Sequence, residues 1–172
     1  MYFSIFLIIV GILYSYLLLR PMVKGAIYYP TKKSALENII NYSNFTEKDK
    51  LVDLGSGDGR IVIAFARKGI PIDGYEINPL LVMFSRWWIR KEGLQKLAKI
   101  YYKSFWNVNL SQYTGVIVFG ITYIMKDLAI KLKKEMPQNT EVVSGCFTFP
   151  EWHPYLKKDT IYFYRVEKNA KN

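Results

Sequence analysis

The sequence predicts an α/β fold, a doubly wound and mostly parallel sheet of about six strands with helices on both faces. Two observations support this prediction. Short apolar runs bounded by turn residues alternate with segments whose apolar residues recur at helical spacing. The run at 115–119 is apolar throughout, which is typical of a parallel strand buried on both faces.

The predicted elements follow one another without an internal repeat or a low-complexity tract. Thr31 can cap a first helix at about 32–42. Asn78 is a favourable N-cap and Pro79 a favourable first residue for a later helix. Because its residues alternate, the last strand is predicted to be an antiparallel or edge strand. The strands are predicted at 51–54, 72–75, 98–102, 115–119, 141–147 and 160–167, and the other helices at 60–68, 79–92 and 123–135.

The amino terminus is predicted to form a transmembrane helix. Residues 2–19 contain no charged side chain, and as a helix they would span about 27 Å, close to the thickness of a hydrocarbon core. Basic residues follow but do not precede this segment, so the positive-inside rule places the domain on the cytoplasmic side of a single-pass, membrane-anchored protein. A cleaved signal peptide would need a basic start and a small-residue cleavage site, which are not present. A buried core helix is the other alternative.

The predicted organisation and the composition limit the classes of function. The organisation is an anchor at 1–20, a linker at 21–31, one domain at 32–168 and a tail at 169–172. The net charge of +10 favours anionic partners, either nucleic acid or an acidic membrane surface, and a merely soluble basic protein is the alternative. The single cysteine excludes an internal disulfide, and the single histidine argues against a histidine-based metal site. No metal is expected.

A glycine-rich turn after the first strand carries the clearest functional signal. Gly55, Gly57 and Gly59 stand at alternate positions, Asp53 precedes them, and Glu76 ends the second strand. Glycines let the backbone approach a ligand, and Glu76 can accept hydrogen bonds from ribose hydroxyls, as in a Rossmann-like domain. The spacing differs from the G-x-G-x-x-G of nicotinamide sites, and no P-loop lysine follows. A tight turn without a ligand is the alternative.

The alternate glycines after Asp53 resemble the S-adenosylmethionine site of the class I methyltransferases. A narrower resemblance covers about 26–165 and rests on the motifs at 29–31, 52–62, 74–82, 105–108, 118–120 and 147–152. These motifs resemble the protein lysine methyltransferases related to the mitochondrial enzymes that modify the ATP synthase c-subunit and the adenine nucleotide translocase. The resemblance implies the class I methyltransferase fold with S-adenosyl-L-methionine as cofactor. It also suggests that one carboxy-terminal strand of the seven-stranded sheet is missing from so short a chain.

The resemblance implies a set of cofactor-binding residues. Ser104 stands where that subfamily usually has an acidic residue that receives the adenine amino group in many methyltransferases. The complete set is Tyr29, Thr31, Asp53, Gly55, Ser56, Gly57, Gly59, Glu76, Ile77, Asn78, Ser104 and Phe105.

The segment after the fourth strand indicates which kind of group receives the methyl group. Enzymes that methylate base amino groups or glutamine amides commonly carry Asn/Asp-Pro-Pro-Tyr/Phe there, whereas this chain has Gly-Ile-Thr-Tyr at 120–123. A lysine amine must lose its proton before attack, and an apolar aromatic channel disfavours the charged form. Tyr123 and Trp152 are the candidate catalytic residues of such an acceptor channel. For each, a core aromatic packing on the sheet is the alternative.

These observations together predict an S-adenosylmethionine-dependent methyltransferase, most readily a protein-lysine N-methyltransferase acting at or near the membrane. A methyltransferase of RNA or of a small or lipid-like acceptor is the first alternative, although no RNA-binding module is appended. A non-catalytic S-adenosylmethionine-binding module is the second. Arg86, Arg90 and Lys91 surround two tryptophans, and this stretch is either a solvated face with core-facing tryptophans, which we favour, or a membrane-contacting basic surface.

Overall fold

The computed structural model describes residues 2, 4–12, 15 and 31–167. Within 31–167 the helices are α1 (Lys33–Tyr42), α2 (Arg60–Ala66), α3 (Pro79–Lys91) and α4 (Thr122–Glu135). The strands are β1 (Leu51–Leu54), β2 (Ile72–Glu76), β3 (Ala98–Tyr102), β4 (Gly115–Val118), β5 (Glu141–Gly145), β6 (Leu156–Lys158) and β7 (Ile161–Arg165), with a 3-10 turn at Phe105–Asn107.

The strands form one sheet in the order β3-β2-β1-β4-β5-β7-β6. The first five are parallel, and β7 is antiparallel to its neighbours β5 and β6. The chain runs outward from β1 to β3 on one side and then from β4 on the other. A crevice therefore opens at the carboxyl ends of β1 and β4, where ligands bind in open α/β sheets.

The prediction of about six strands, with one carboxy-terminal strand missing, is wrong. In the described range 31–167 the sheet has seven strands, and the additional one is β6. It has only three residues and exists through its antiparallel pairing with β7, from Leu156 opposite Phe163 to Lys158 opposite Ile161. So short a strand leaves no alternation in the sequence that could predict it.

Helices cover both faces of the sheet, as predicted for a doubly wound fold. On one face α4 and the aromatic side chains of Phe149, Trp152 and Tyr164 pack with Val52 of β1. On the other face α1, α2 and α3 pack with Leu51 and its neighbours. The central strands β1, β4 and β5 are buried along their whole length.

The predicted transmembrane anchor and the single-pass localisation are contradicted. Among the residues that the structure describes, no helix is both long and apolar enough to span a membrane. The predicted linker, apart from Thr31, and the predicted tail at 169–172 lie outside the described residues.

Candidate functional site

The loop at 55–59 joins β1 to α2 at the carboxyl edge of the sheet. Gly55, Gly57 and Gly59 have φ angles of 89°, 55° and 82°, in the left-handed region that residues with a Cβ rarely adopt. Packing also requires a glycine at position 59, because a Cβ there would lie 2.8 Å from the Cβ of Ser85 on α3. The loop can therefore approach a ligand closely while α3 packs directly behind it.

Glu76, the last residue of β2, is held by three backbone amides. Its Oε2 accepts a hydrogen bond from the amide of Gly57 at 2.9 Å, and its Oε1 accepts from the amides of Ile77 and Asn78 at 2.7 Å each. A carboxylate has about four acceptor positions, so Oε2 keeps capacity for a further donor. Glu76 is thus an oriented, half-buried acceptor that faces the glycine loop.

Asp53 is buried on β1 next to this loop. Its side chain is 2% exposed, and neither its Oδ2 nor the Oγ of Ser56 has a hydrogen-bond partner. Burial, and then the negative charges of Glu76 and Asp58, raises the pKa of Asp53 to about 8. Buried polar atoms are almost always hydrogen-bonded. These two acceptors therefore fit a ligand that carries N–H and O–H donors, such as the ammonium group and ribose hydroxyls of S-adenosylmethionine.

Arg60 connects the loop to the segment before α1. Its guanidinium contacts the carboxylate of Asp58 at 2.6 to 3.1 Å, and its Nη1 donates to the carbonyl of Thr31 at 2.6 Å. The structure thus brings the buried Thr31 to the loop. The predicted cap by Thr31 is wrong, because α1 begins at Lys33 without a side-chain cap bond. Tyr29 lies outside the described residues.

Asp58 and Arg60 are site residues that the sequence reasoning did not select. They stand between and directly after the glycines of the motif, in the run Gly57-Asp58-Gly59-Arg60. The signal that could have identified them is the placement of an acid two residues before a base, which allows a side-chain pair across one turn. Their ion pair joins the loop to the first residue of α2, and the carboxylate of Asp58 adds a second negative charge near Asp53.

The carboxyl ends of β2 and β3 place four further predicted residues near Glu76. The Oδ1 of Asn78 accepts hydrogen bonds from two amides of the first turn of α3, at 3.0 and 3.4 Å, which confirms the predicted cap. Ile77 is half-buried beside it. The carbonyl of Glu76 accepts a hydrogen bond at 3.1 Å from the amide of Lys103, which directly precedes Ser104. Phe105 follows as the first residue of the 3-10 turn. Their contacts with an adenine ring remain predictions.

The two predicted acceptor-channel residues lie at opposite edges of the sheet. Tyr123 is in the first turn of α4, directly after the carboxyl end of β4, and is 70% exposed. Trp152 is buried among core aromatic rings, and its Nε1 donates to the carbonyl of Arg165 at 3.0 Å. Arg165 pairs with Glu141, the first residue of β5, so Trp152 lies towards the amino ends of the parallel strands. The structure brings Tyr123, and not Trp152, to the edge that carries the loop.

A family model described as the ANTKMT methyltransferase domain matches residues 53–156, from the end of β1 to the start of β6. The chain belongs to this methyltransferase family. Membership of the ANTKMT methyltransferases confirms the resemblance that the sequence motifs indicated.

Named relatives and one solved structure agree with this assignment. The lysine N-methyltransferase of the ATP synthase c-subunit from Homo sapiens is 41% identical over 127 residues, which cover 74% of this chain and 54% of that protein. A protein-lysine N-methyltransferase of Saccharolobus islandicus is 33% identical over 132 residues, covering 74% and 80%. The crystal structure of an RNA methyltransferase from Salinibacter ruber with S-adenosyl-L-homocysteine superposes with a TM-score of 0.79 at 29% identity, covering 83% and 97%. The chain spans about half the length of the mammalian c-subunit methyltransferases it matches.

Proposed function

We propose that the chain is an S-adenosylmethionine-dependent protein-lysine N-methyltransferase. The observation that carries this proposal is the glycine loop facing an oriented Glu76 and a buried Asp53, whose Oδ2 has no partner, at the carboxyl edge of the sheet. Relatives named as lysine N-methyltransferases support lysine as the acceptor. The Saccharolobus relative carries particular weight because the match covers 80% of its length.

Each residue at the loop would bind a different part of the cofactor. Glu76 would accept hydrogen bonds from ribose hydroxyls through the free capacity of Oε2, as the acidic residue of dinucleotide folds does. Asp53 would pair with the α-ammonium group, because a cation offsets the cost of a buried carboxylate. Ile77 and Phe105 would lie against the adenine ring. Bound there, S-adenosylmethionine supplies a methyl group on a sulfonium sulfur that an amine can displace in line.

The acceptor lysine would enter at the carboxyl end of β4. Its ammonium group must lose a proton before attack, and partial burial against an aromatic side chain favours the neutral amine. Tyr123 is the exposed aromatic residue at that position, and its ring can hold the ammonium group by a cation–π contact before the proton leaves. Residues 120–123 carry no carboxylate, so their contribution is positioning and exclusion of water.

RNA methylation is the second candidate. The Salinibacter ruber structure is that of an RNA methyltransferase, and the net charge of +10 suits a polyanionic substrate. A methyltransferase acting on a small or lipid-like molecule, and a non-catalytic cofactor-binding module, are the remaining possibilities for the same site.

The test uses the full chain with methyl-labelled S-adenosylmethionine and separated protein, RNA and lipid fractions from cells. We expect label in protein, in methyl-lysine after hydrolysis. Glu76→Ala should weaken cofactor binding at least about tenfold in calorimetry, because it removes charged hydrogen bonds to the ribose. Glu37→Ala, an exposed glutamate on α1, is the matched control and should leave affinity unchanged. Label confined to the RNA fraction would identify RNA, and not protein lysine, as the methyl acceptor. Unchanged cofactor affinity of Glu76→Ala would refute the proposed site.

A further inference from the structure

The side of α3 that points away from the sheet is apolar. The large apolar residues that share this side, here called the outer stripe, are Leu80, Met83, Phe84 and Trp87. Each is between 46% and 66% exposed, and their spacing of i, i+3, i+4 and i+7 places them on one face of the helix. The residues that α3 buries lie on the opposite face. A helix that is apolar on both faces is unusual on a solvated surface.

Aromatic rings in and beside the outer stripe lie close together. The ring of Phe84 lies 5.9 Å from the ring of Trp87 and 5.9 Å from that of Trp88. The ammonium group of Lys91 lies 5.2 Å from the Trp87 ring. Our expectation that both tryptophans face the core is therefore wrong for Trp87, which is 54% exposed.

The segment that carries the outer stripe is rich in basic residues. Residues 79–103, which comprise α3, β3 and the turn between them, contain six basic residues and one acidic residue, so they account for half of the net charge of +10. The acidic residue, Glu92, is paired with Arg67 and accepts a hydrogen bond from the indole of Trp88. All six basic residues reach solvent: Arg86, Arg90, Lys91, Lys96, Lys99 and Lys103.

We propose that the outer stripe docks the domain on an anionic lipid surface. Apolar and aromatic side chains on one helix face with basic residues around them are the combination that binds the interface of an anionic bilayer. Docking of a second copy of the chain on this face would bring two positively charged surfaces together, which is unfavourable. Nucleic acid would use the cations but would leave Leu80 and Met83 in water. Charge and apolar area together therefore favour lipid.

Docking on this face would place the candidate site beside the lipid. The outer stripe begins at Leu80, four residues after Glu76, because α3 starts directly behind the carboxyl end of β2. The contact lies at the interface and requires no helix to cross the bilayer. Docking on lipid does not depend on the proposed reaction, because it determines where the domain is bound and not which group the domain methylates.

The first test measures binding of the full chain to vesicles of phosphatidylcholine alone and of phosphatidylcholine mixed with phosphatidylserine. Met83→Gln, Phe84→Gln and Trp87→Gln together should weaken binding to the anionic vesicles about a hundredfold, because three apolar side chains lose their burial. Ile130→Gln on α4, whose side chain is 59% exposed on the other face, is the matched control and should bind like the parent. Arg90→Gln with Lys91→Gln should weaken binding about tenfold on anionic vesicles only.

The second test locates the contact. In a Cys146→Ser background, an environment-sensitive fluorophore on Met83→Cys should shift to the blue when anionic vesicles are added, whereas the same fluorophore on Lys126→Cys of α4 should not. Unchanged binding by the triple variant overturns the proposal, as does a fluorophore at position 83 that does not respond. Binding of RNA that the triple variant loses, without vesicle binding by the parent, would identify the surface as a nucleic-acid site instead.

Discussion

Replacing Asp53 by Asn should make the ligand-free protein more stable at neutral pH. Burial without a partner for Oδ2 raises the pKa of this carboxyl from 3.8 to about 8. That difference corresponds to about 6 kcal/mol between the two protonation states, since each pKa unit is about 1.4 kcal/mol. At about pH 7 the folded protein still holds most of the proton, so the cost to the free energy of unfolding is about 4 kcal/mol. Asn has nearly the same shape and no charge to bury.

The sign of the pH dependence follows from the raised pKa. Below about pH 4 the carboxyl is protonated in both the folded and the unfolded states, and it costs nothing. Between about pH 4 and pH 8 the unfolded state releases the proton and the folded state keeps it, so stability falls as pH rises. Asp53→Asn should therefore match the parent near pH 4 and exceed it by about 2–4 kcal/mol near pH 8, allowing for amide groups that also need partners.

Urea unfolding of the full chain at a series of pH values between about 4 and 8 measures this difference. The matched control is Asp73→Asn on the neighbouring strand β2, because this buried carboxylate already accepts a hydrogen bond from Tyr113 at 2.9 Å and lies 3.8 Å from Lys50. We expect it to lower stability by about 1 kcal/mol. An Asp53→Asn variant that is less stable than the parent, or whose advantage does not change with pH, would refute the reasoning.

Two further changes test the packing around the site. Gly59→Ala should lower the free energy of unfolding by about 2–4 kcal/mol, because its φ is 82° and its Cβ would collide with Ser85; Gly93→Ala, with φ 69° and open space, should cost about 1 kcal/mol. Trp152→Phe should lower it by about 1–3 kcal/mol in urea unfolding, and kcat and KM should stay unchanged. A raised KM for the acceptor without loss of stability would instead place Trp152 in the acceptor channel.

The sequence predicts those parts of the fold and site that depend on local chemistry. The order of strands and helices from β1 to β5 follows from short apolar runs between turn residues. The cap at Asn78 follows from a side-chain oxygen placed before Pro79, and the structure contains it. The position of Glu76 at the loop follows because parallel strands end at the same edge of a sheet. In each case the interacting groups are close in sequence or belong to adjacent strands.

The features that the sequence does not predict depend on tertiary contacts that leave no periodic pattern in the sequence. β6 exists only through pairing with β7. Thr31 looks like a cap because its type suits one, but Lys32 occupies the N-cap position of α1, and the carbonyl of Thr31 accepts a hydrogen bond from Arg60. Trp152 lies in one of the segments on which the resemblance to the family rests, yet its hydrogen bond to Arg165 places it at the far edge of the sheet. An aromatic residue in a motif does not by itself reveal which edge it occupies.

The loop illustrates why binding and stability should be coupled in this protein. A buried carboxyl with one unpartnered oxygen and an unpartnered hydroxyl are both unfavourable in the free state. They persist because the surroundings hold them: the amides that bond to Glu76, the pair formed by Arg60 and Asp58, and the packing of α3 behind the loop. A cationic ligand would remove the cost at Asp53 while leaving those supports in place. The change that stabilises the free protein, Asp53→Asn, is therefore the same change that should weaken its hold on the cofactor.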